Sequence, residues 1–240
     1  MELVHVAVAV FSLLSLGQSA PVTDCETLTQ HINIQGRDQL LGRWTHLVES
    51  TDIPGSKVLT KMFAQTSWWN ITAADQINGL RTSQHVKMLG LCFSLSTNMT
   101  LENNSLVIAQ PYSSVDVLLY TGCPDCLVLY SNSTIGRGSY RSLQLLSRRA
   151  KVCAAELEEF SKQLECLNLP SAVVLDSEKG FCPEPSVSSE KSFDLTDSFN
   201  NMGSDDFNLM EKLFKSDTGL KEIIDLFTAF SSSVSKDGKN

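Results

Sequence analysis

The sequence predicts an all-β chain: an eight-stranded antiparallel up-and-down barrel with one flanking α-helix and a C-terminal extension that is helical or disordered. Three observations predict it. Eight short runs with strand-like alternation follow one another at roughly ten-residue spacing, separated by Gly, Asn and Ser clusters. A single amphipathic stretch comes after the eighth run and needs a surface to lie against. The first run opens on Gly42 and Trp44, a tight turn followed by a large aromatic.

Residues 1–19 read as a secretory leader. Leu3 to Leu16 is almost uninterrupted apolar sequence, too short to span a bilayer, and the small residues Gly17 and Ser19 precede the expected cleavage point. The leader carries Glu2 and His5 but no Lys or Arg, so a retained, anchoring leader is the alternative. Four Asn-x-Ser/Thr sequons, at Asn70, Asn98, Asn103 and Asn132, agree with export and glycosylation, and all seven cysteines lie beyond the leader. Of the net charge of −8, the residues from 183 onward carry 11 acidic and 6 basic groups, a net of −5. A near-neutral body with an acidic tail offers no surface that tracks phosphates, which excludes nucleic acid as the expected partner.

The first strand, in LLGRWTHLVES (residues 40–50), places Trp44, His46 and Val48 on one face and Thr45, Leu47 and Glu49 on the other. Thr51 to Lys61 reads as a loop on its Pro-Gly pair. Further strands are expected over Phe63–Ala73, Ile77–Met88, Leu91–Thr100, Ser105–Tyr112, Val115–Tyr120, Cys126–Tyr130 and Ser139–Leu146. A glycan must face outward, so Asn70 turns Trp69 in and Trp68 out, and Asn98 turns Met99 in. Asn132 lies two residues past Tyr130 and is expected at a barrel rim. Lys151–Leu167 is the helix, with Cys153, Leu157, Phe160, Leu164 and Leu167 on one face, and Ala172–Leu175 fits a short edge strand.

These features resemble the lipocalins, whose signature is Gly-x-Trp at the first strand and whose order is eight strands, a helix and a short ninth strand. The stretch EFSKQLECLNLPSAVVLDSEKGFCPE (159–184) resembles the end of alpha-1-acid glycoprotein. Gly90-Leu91-Cys92 and the helix cysteines resemble apolipoprotein M. The branch includes the fish saxitoxin-, tetrodotoxin- and tributyltin-binding proteins, to which the whole chain is most similar. Two departures stand out. Gly122-Cys-Pro-Asp-Cys126 replaces the usual Thr-Asp-Tyr element, and the chain runs on past Pro185, where the family usually stops. The resemblance assigns a domain over 20–184, with 185–240 as extension, and gives Arg148, with Arg149 as alternate, the role of covering Trp44. It implies the disulfides Cys25–Cys166 and Cys92–Cys182, and a third joining Cys153 to Cys123 or Cys126; each would stabilise by about 2–4 kcal/mol.

Catalysis finds little support. The histidines are His5, His31, His46 and His85, with no metal-ligand spacing and no Gly-x-Ser-x-Gly or His-Glu-x-x-His motif. The enzymatic lipocalin known for prostaglandin synthesis uses an inward cysteine on the second strand, where this chain has Gln65, Ser67 and Trp69. Cys123-Pro-Asp-Cys126 has the spacing of a redox pair, but it joins two strands instead of opening a helix. The expectation is a non-enzyme without cofactor or metal, with a thiol enzyme at Cys123/Cys126 as the remote alternative.

Barrel parity expects His46, Trp69, Gln84, Val86, Ile108, Gln110, Val128, Tyr130, Gln144 and Leu146 inside, and the match to alpha-1-acid glycoprotein carries the ligand pocket onto much the same positions. No inward Lys or Arg is expected, which favours neutral or cationic lipophiles. A cation would gain about 0.5–2 kcal/mol from the faces of Trp69 and Tyr130. Glu184–Ser204 reads as a linker. Asp205–Phe230 then carries Phe207, Met210, Leu213, Phe214, Leu220, Ile223, Ile224 and Phe227 at helical intervals, broken at 217–219, as two short helices that dock, cover the mouth, contact lipid or stay disordered. The functional expectation is a monomeric, secreted plasma carrier of a small hydrophobic or amphiphilic ligand, such as a lipophilic toxin or xenobiotic. An apolipoprotein M-like lysolipid carrier associated with lipoproteins is the alternative.

Overall fold

The computed structural model describes residues 24–184 and 192–237, so the leader over 1–19 lies outside the described residues. Eight strands form the barrel: β1 (Gly42–Thr51), β2 (Ala64–Ala73), β3 (Gly79–Met88), β4 (Leu91–Glu102), β5 (Ser105–Ile108), β6 (Ser113–Leu119), β7 (Cys126–Ile135) and β8 (Gly138–Ser147). Neighbours in sequence pair antiparallel, and β1 pairs β8 to close the ring. The β4–β5 connection is a two-residue hairpin on Asn103 and Asn104, both at positive φ, as the right-handed strand twist requires.

The helix of the flank, which we call α3 (Ala154–Leu167), follows α1 (Cys25–Leu28) and α2 (Ser56–Phe63) in the chain. Its first turn is held by Glu156, whose Oε2 accepts from the Cys153 N–H at 2.7 Å, and Asn168 ends it in the left-handed region. Phe160 and Leu164 pack on Leu47, Val48, Val128, Leu143 and Leu145, so the barrel wall beneath the helix is apolar on its outer face as well. The short β9 (Val173–Val174) then pairs with β1.

Two segments differ from the sequence reading. The loop over 51–61 contains α2, whose Phe63 is buried and seeds a turn of helix ahead of β2. The linker over 184–204 contains β10 (Ser192–Asp194) and α4 (Thr196–Asn200). The short β5 reaches only Thr100–Glu102 of β4 and leaves the other half of that edge unpaired; β10 lies parallel on Cys92–Ser94 and supplies the missing partners.

The barrel is sealed at one end. Trp44 donates from Nε1 to the Leu40 carbonyl at 2.7 Å, and the Arg148 guanidinium lies 3.5 Å over its ring. Arg148 is itself pinned by the carbonyls of Arg43 and Leu41, each at 2.7 Å. Gly42, at φ 94°, lets the chain turn beneath that guanidinium. At the other end α5 (Ser204–Lys215) and α6 (Asp217–Asp237) form a hairpin across the mouth. Gly219 makes the hairpin tight, since a Cβ there would sit 2.6 Å from the Leu213 carbonyl oxygen. The helices rest on the mouth through Phe227 of α6 against Phe63 and a 2.6 Å hydrogen bond from the Tyr140 hydroxyl to Glu211 of α5, and beside them Phe199 of α4 packs against Tyr112. Of the four fates the sequence left open for the tail, the structure shows a cover.

Candidate ligand site in the barrel

The lumen beneath the helical cover is not filled. It consists of two adjoining chambers, of about 290 Å³ and 530 Å³, which share Gln84, Gln144, Met210 and Phe214 as walls. Met210 and Phe214 come from α5, so the cover reaches into the barrel between the chambers. The smaller chamber is walled by Trp69, Met99, Ile108 and Tyr112, with Ser114, Asp116, Ser131 and Ser133 along one side. The larger holds His46, Glu49, Ser67 and Val86, with Leu213, Ile223 and Phe227 from the cover.

Three buried polar atoms on these walls find no hydrogen-bond partner among the described residues: His46 Nε2, Ser67 Oγ and Trp69 Nε1. They are neighbours, because His46 pairs with Ser67 across β1 and β2 and the His46 and Trp69 rings are 5.6 Å apart. Burial holds the His46 imidazole below the usual histidine range, against the pull of Glu49 and a hydrogen bond to the Val48 backbone. A ring nitrogen occupied by that backbone bond leaves Nε2 of the neutral ring as an acceptor. Glu49 sits 3.6 Å from Nε2 and accepts from the Thr60 hydroxyl at 2.7 Å. Burial pushes the Asp116 carboxyl up, against hydrogen bonds from Ser114 and Ser131. A lumen lined this way is mostly apolar, with a few polar groups whose bonding is incomplete.

No family model matches the sequence, and no curated protein matches it. Solved structures similar to this chain include the siderocalin Ex-FABP, described as functioning through dual ligand specificities (14% identity, TM-score 0.52, covering 61% of this chain and 99% of that one). They also include the bovine lipocalin allergen Bos d 2 (16%, 0.50, 63% and 100%) and the odorant-binding protein OBP1 (14%, 0.52, 64% and 99%). The chain has the lipocalin fold. Those neighbours are covered almost whole, while more than a third of this chain has no counterpart in them.

Within this lipocalin barrel His46, Trp69, Gln84, Val86, Ile108 and Gln144 line the chambers. Leu146 packs in the inner cluster beside Trp44 and Trp69. Three of the expected inward residues are elsewhere. Gln110 is exposed, because β5 ends at Ile108 and Pro111 follows with no N–H to continue the ladder. Val128 and Tyr130 face outward under α3, and Leu127, Leu129, Ser131 and Ser133 of β7 face in. The error has a source: β7 runs on to Ile135, which puts Asn132 on the exposed outer face of the strand and not at a rim. Read with the same glycan parity as Asn70 and Asn98, Asn132 would have turned Tyr130 outward.

Glu49 was missed because of an extra residue. The β1–β8 register shifts between His46 and Val48, so Leu47 and Val48 both pack outward and Glu49 returns to the lumen. Asn98 and Asn103 are exposed, and Asn70 is half-buried on the outer wall. There Trp68 stacks on His85 at 4.0 Å and lies under the Arg43 guanidinium at 4.2 Å.

The cysteines pair as Cys25–Cys166, Cys92–Cys182 and Cys123–Cys126, and Cys153 is free and exposed. The third pairing differs from the bond expected between Cys153 and Cys123 or Cys126. The turn between β6 and β7 brings Cys123 and Cys126 together, and Cys153 serves as the N-cap of α3. Cys123, Cys126 and Glu156 are the one set among the described residues with donor atoms close enough for an ion. With their sulfurs bonded to each other, the cysteines offer no thiolate to a metal or to a substrate.

Proposed function

We propose that this protein is a secreted carrier that reversibly holds a small hydrophobic or amphiphilic molecule inside its barrel. The observation that carries the reading is the unsatisfied trio in the lumen. A buried polar group without a partner costs about 1–3 kcal/mol, and three neighbouring ones on the walls of two adjoining chambers are best explained by a ligand that completes them. Among the described residues neither chamber is lined by Lys or Arg, while Glu49, Asp116 and Glu211 line them, which favours neutral or cationic lipophiles over fatty acids and lysolipid phosphates. Resemblance of residues 159–184 to alpha-1-acid glycoprotein and to toxin-binding relatives supports sequestration of lipophilic toxicants as the use. The leader, the sequons and the disulfides support secretion.

The test is titration of tryptophan emission of the delipidated, glycosylated protein with a lipophilic amine, a guanidinium toxin and a lysosphingolipid. Saturable quenching by the amine or the toxin, lost in Trp69→Ala, is the expected result. A response to the lysosphingolipid alone would replace this reading with a lysolipid carrier, and silence from all three would remove the carrier reading.

A further inference from the structure

The smaller chamber contains a carboxyl that nothing neutralises. Asp116 is 5% exposed, on a barrel wall, and takes part in no ion pair among the described residues. Its partners are hydroxyls: Ser114 donates to Oδ1 at 2.5 Å, and Ser131 donates as well. Ser133 stands 2.9 Å behind Ser114, so the carboxyl sits on a strip of serines. A carboxylate has about four lone-pair sites, so two donors leave it about half satisfied.

A second, independent feature of the same chamber has the opposite polarity. Trp69 Nε1–H, on a side chain 4% exposed, has no acceptor among the described residues. The chamber therefore asks for a positive donor at one point and an acceptor at another, between apolar walls of Met99, Ile108 and Tyr112. A bare metal ion does not answer this: Glu211, the chamber's other carboxylate, is taken up by Lys215 and the Tyr140 hydroxyl, and Asp116 with neutral hydroxyls falls short of the oxygen shell that hard cations take. An organic cation does, because it neutralises the carboxylate and buries its own hydrocarbon.

We propose that the smaller chamber is a site for a small lipophilic amine, whose ammonium pairs with Asp116 while an oxygen of the same molecule accepts from Trp69 Nε1. The proposal rests on the carrier reading and names the ligand class and its anchor. The test is calorimetric titration of the full chain with three probes of one skeleton: phenoxybutylamine, phenoxybutanol and phenoxybutyrate. The amine is expected to bind about tenfold tighter than the alcohol, with the anion weakest. Asp116→Asn is expected to bring the amine to the level of the alcohol, while Glu158→Gln, an exposed carboxylate on α3 paired with Lys162 outside the barrel, keeps the preference. Equal affinities for amine and alcohol, or a preference that survives Asp116→Asn, would overturn the proposal with the carrier reading intact. If Asp116→Asn fails to fold, the parent protein still decides, because an anion bound as tightly as the amine overturns the proposal. If none of the three probes binds the parent, the carrier reading falls with it.

Discussion

The two ends of the barrel are built from the same eight strands and are finished in opposite ways. At the closed end Trp44 has its N–H bonded, its face covered by Arg148 and its edge packed on Leu40. At the mouth, side chains of comparable bulk meet two chambers, and the closure comes from a hairpin of helices that half-buries Met210, Leu213 and Phe214. Complete packing at one end frees the other from a structural task. Stability is concentrated where every group is satisfied, and binding capacity where several are not.

That contrast makes the largest effect fall far from the ligand. Trp44→Ala should cost about 3–5 kcal/mol in urea unfolding, as for a large aromatic removed from a packed core. A cost under about 1 kcal/mol would mean that the closed end does not anchor the barrel. At the mouth, Met210→Ala combined with Phe214→Ala should merge the chambers and speed ligand dissociation by about tenfold in stopped-flow, with a smaller loss of stability of about 1–2 kcal/mol. An unchanged dissociation rate would show that ligand leaves by another route than past α5.

The next effect depends on pH. The His46 pKa is lowered from 6.5 by burial, so below pH 6.5 the unfolded chain takes up a proton that the folded one resists. Stability from this group is full above pH 6.5 and is lost as pH falls toward the folded value, and His85 acts in the same direction. His46→Gln should flatten that acid slope by up to about 1.4 kcal/mol per pH unit. An identical slope in both proteins would place the imidazole in water. The smallest effect is expected for Tyr140→Phe, which removes one hydrogen bond between barrel and cover at a cost of about 1 kcal/mol. Thermal melts of the two proteins would measure it.

The two ends also differ in how well the sequence announces them. Gly42, Trp44 and the first alternation mark the closed end, because one tight turn and one bulky side chain are local signals. The helical spacing of Phe207, Met210, Phe214 and Phe227 is equally local, but what those faces cover depends on loops some 150 residues away. Along the walls, parity reads correctly in β3 and over Ser67–Asn70 of β2, but not at Gln65, which alternation puts inward and which lies outside the lumen beyond a register shift between Ala64 and Thr66. It fails in β7, where α3 makes the outer face as apolar as the inner one. It fails again in β1, where a single bulged residue reverses every side chain beyond it. Asp116 falls between Val115 and Val117, in a pattern that suggests a polar outer face. In the structure the valine at 115 is exposed and the acid is inside.

The three tryptophans occupy three distinct optical settings. Trp44 is sealed under a guanidinium, Trp69 borders the lumen, and Trp68 lies outside against His85. An imidazole quenches indole emission more strongly once it is protonated, so acidification would dim Trp68 in the complete absence of ligand. Emission from this protein is therefore a sum of a constant, a binding signal and a proton signal. A version with phenylalanine at 44 and 68 would leave Trp69 as the sole emitter, turning the barrel into its own single-site reporter.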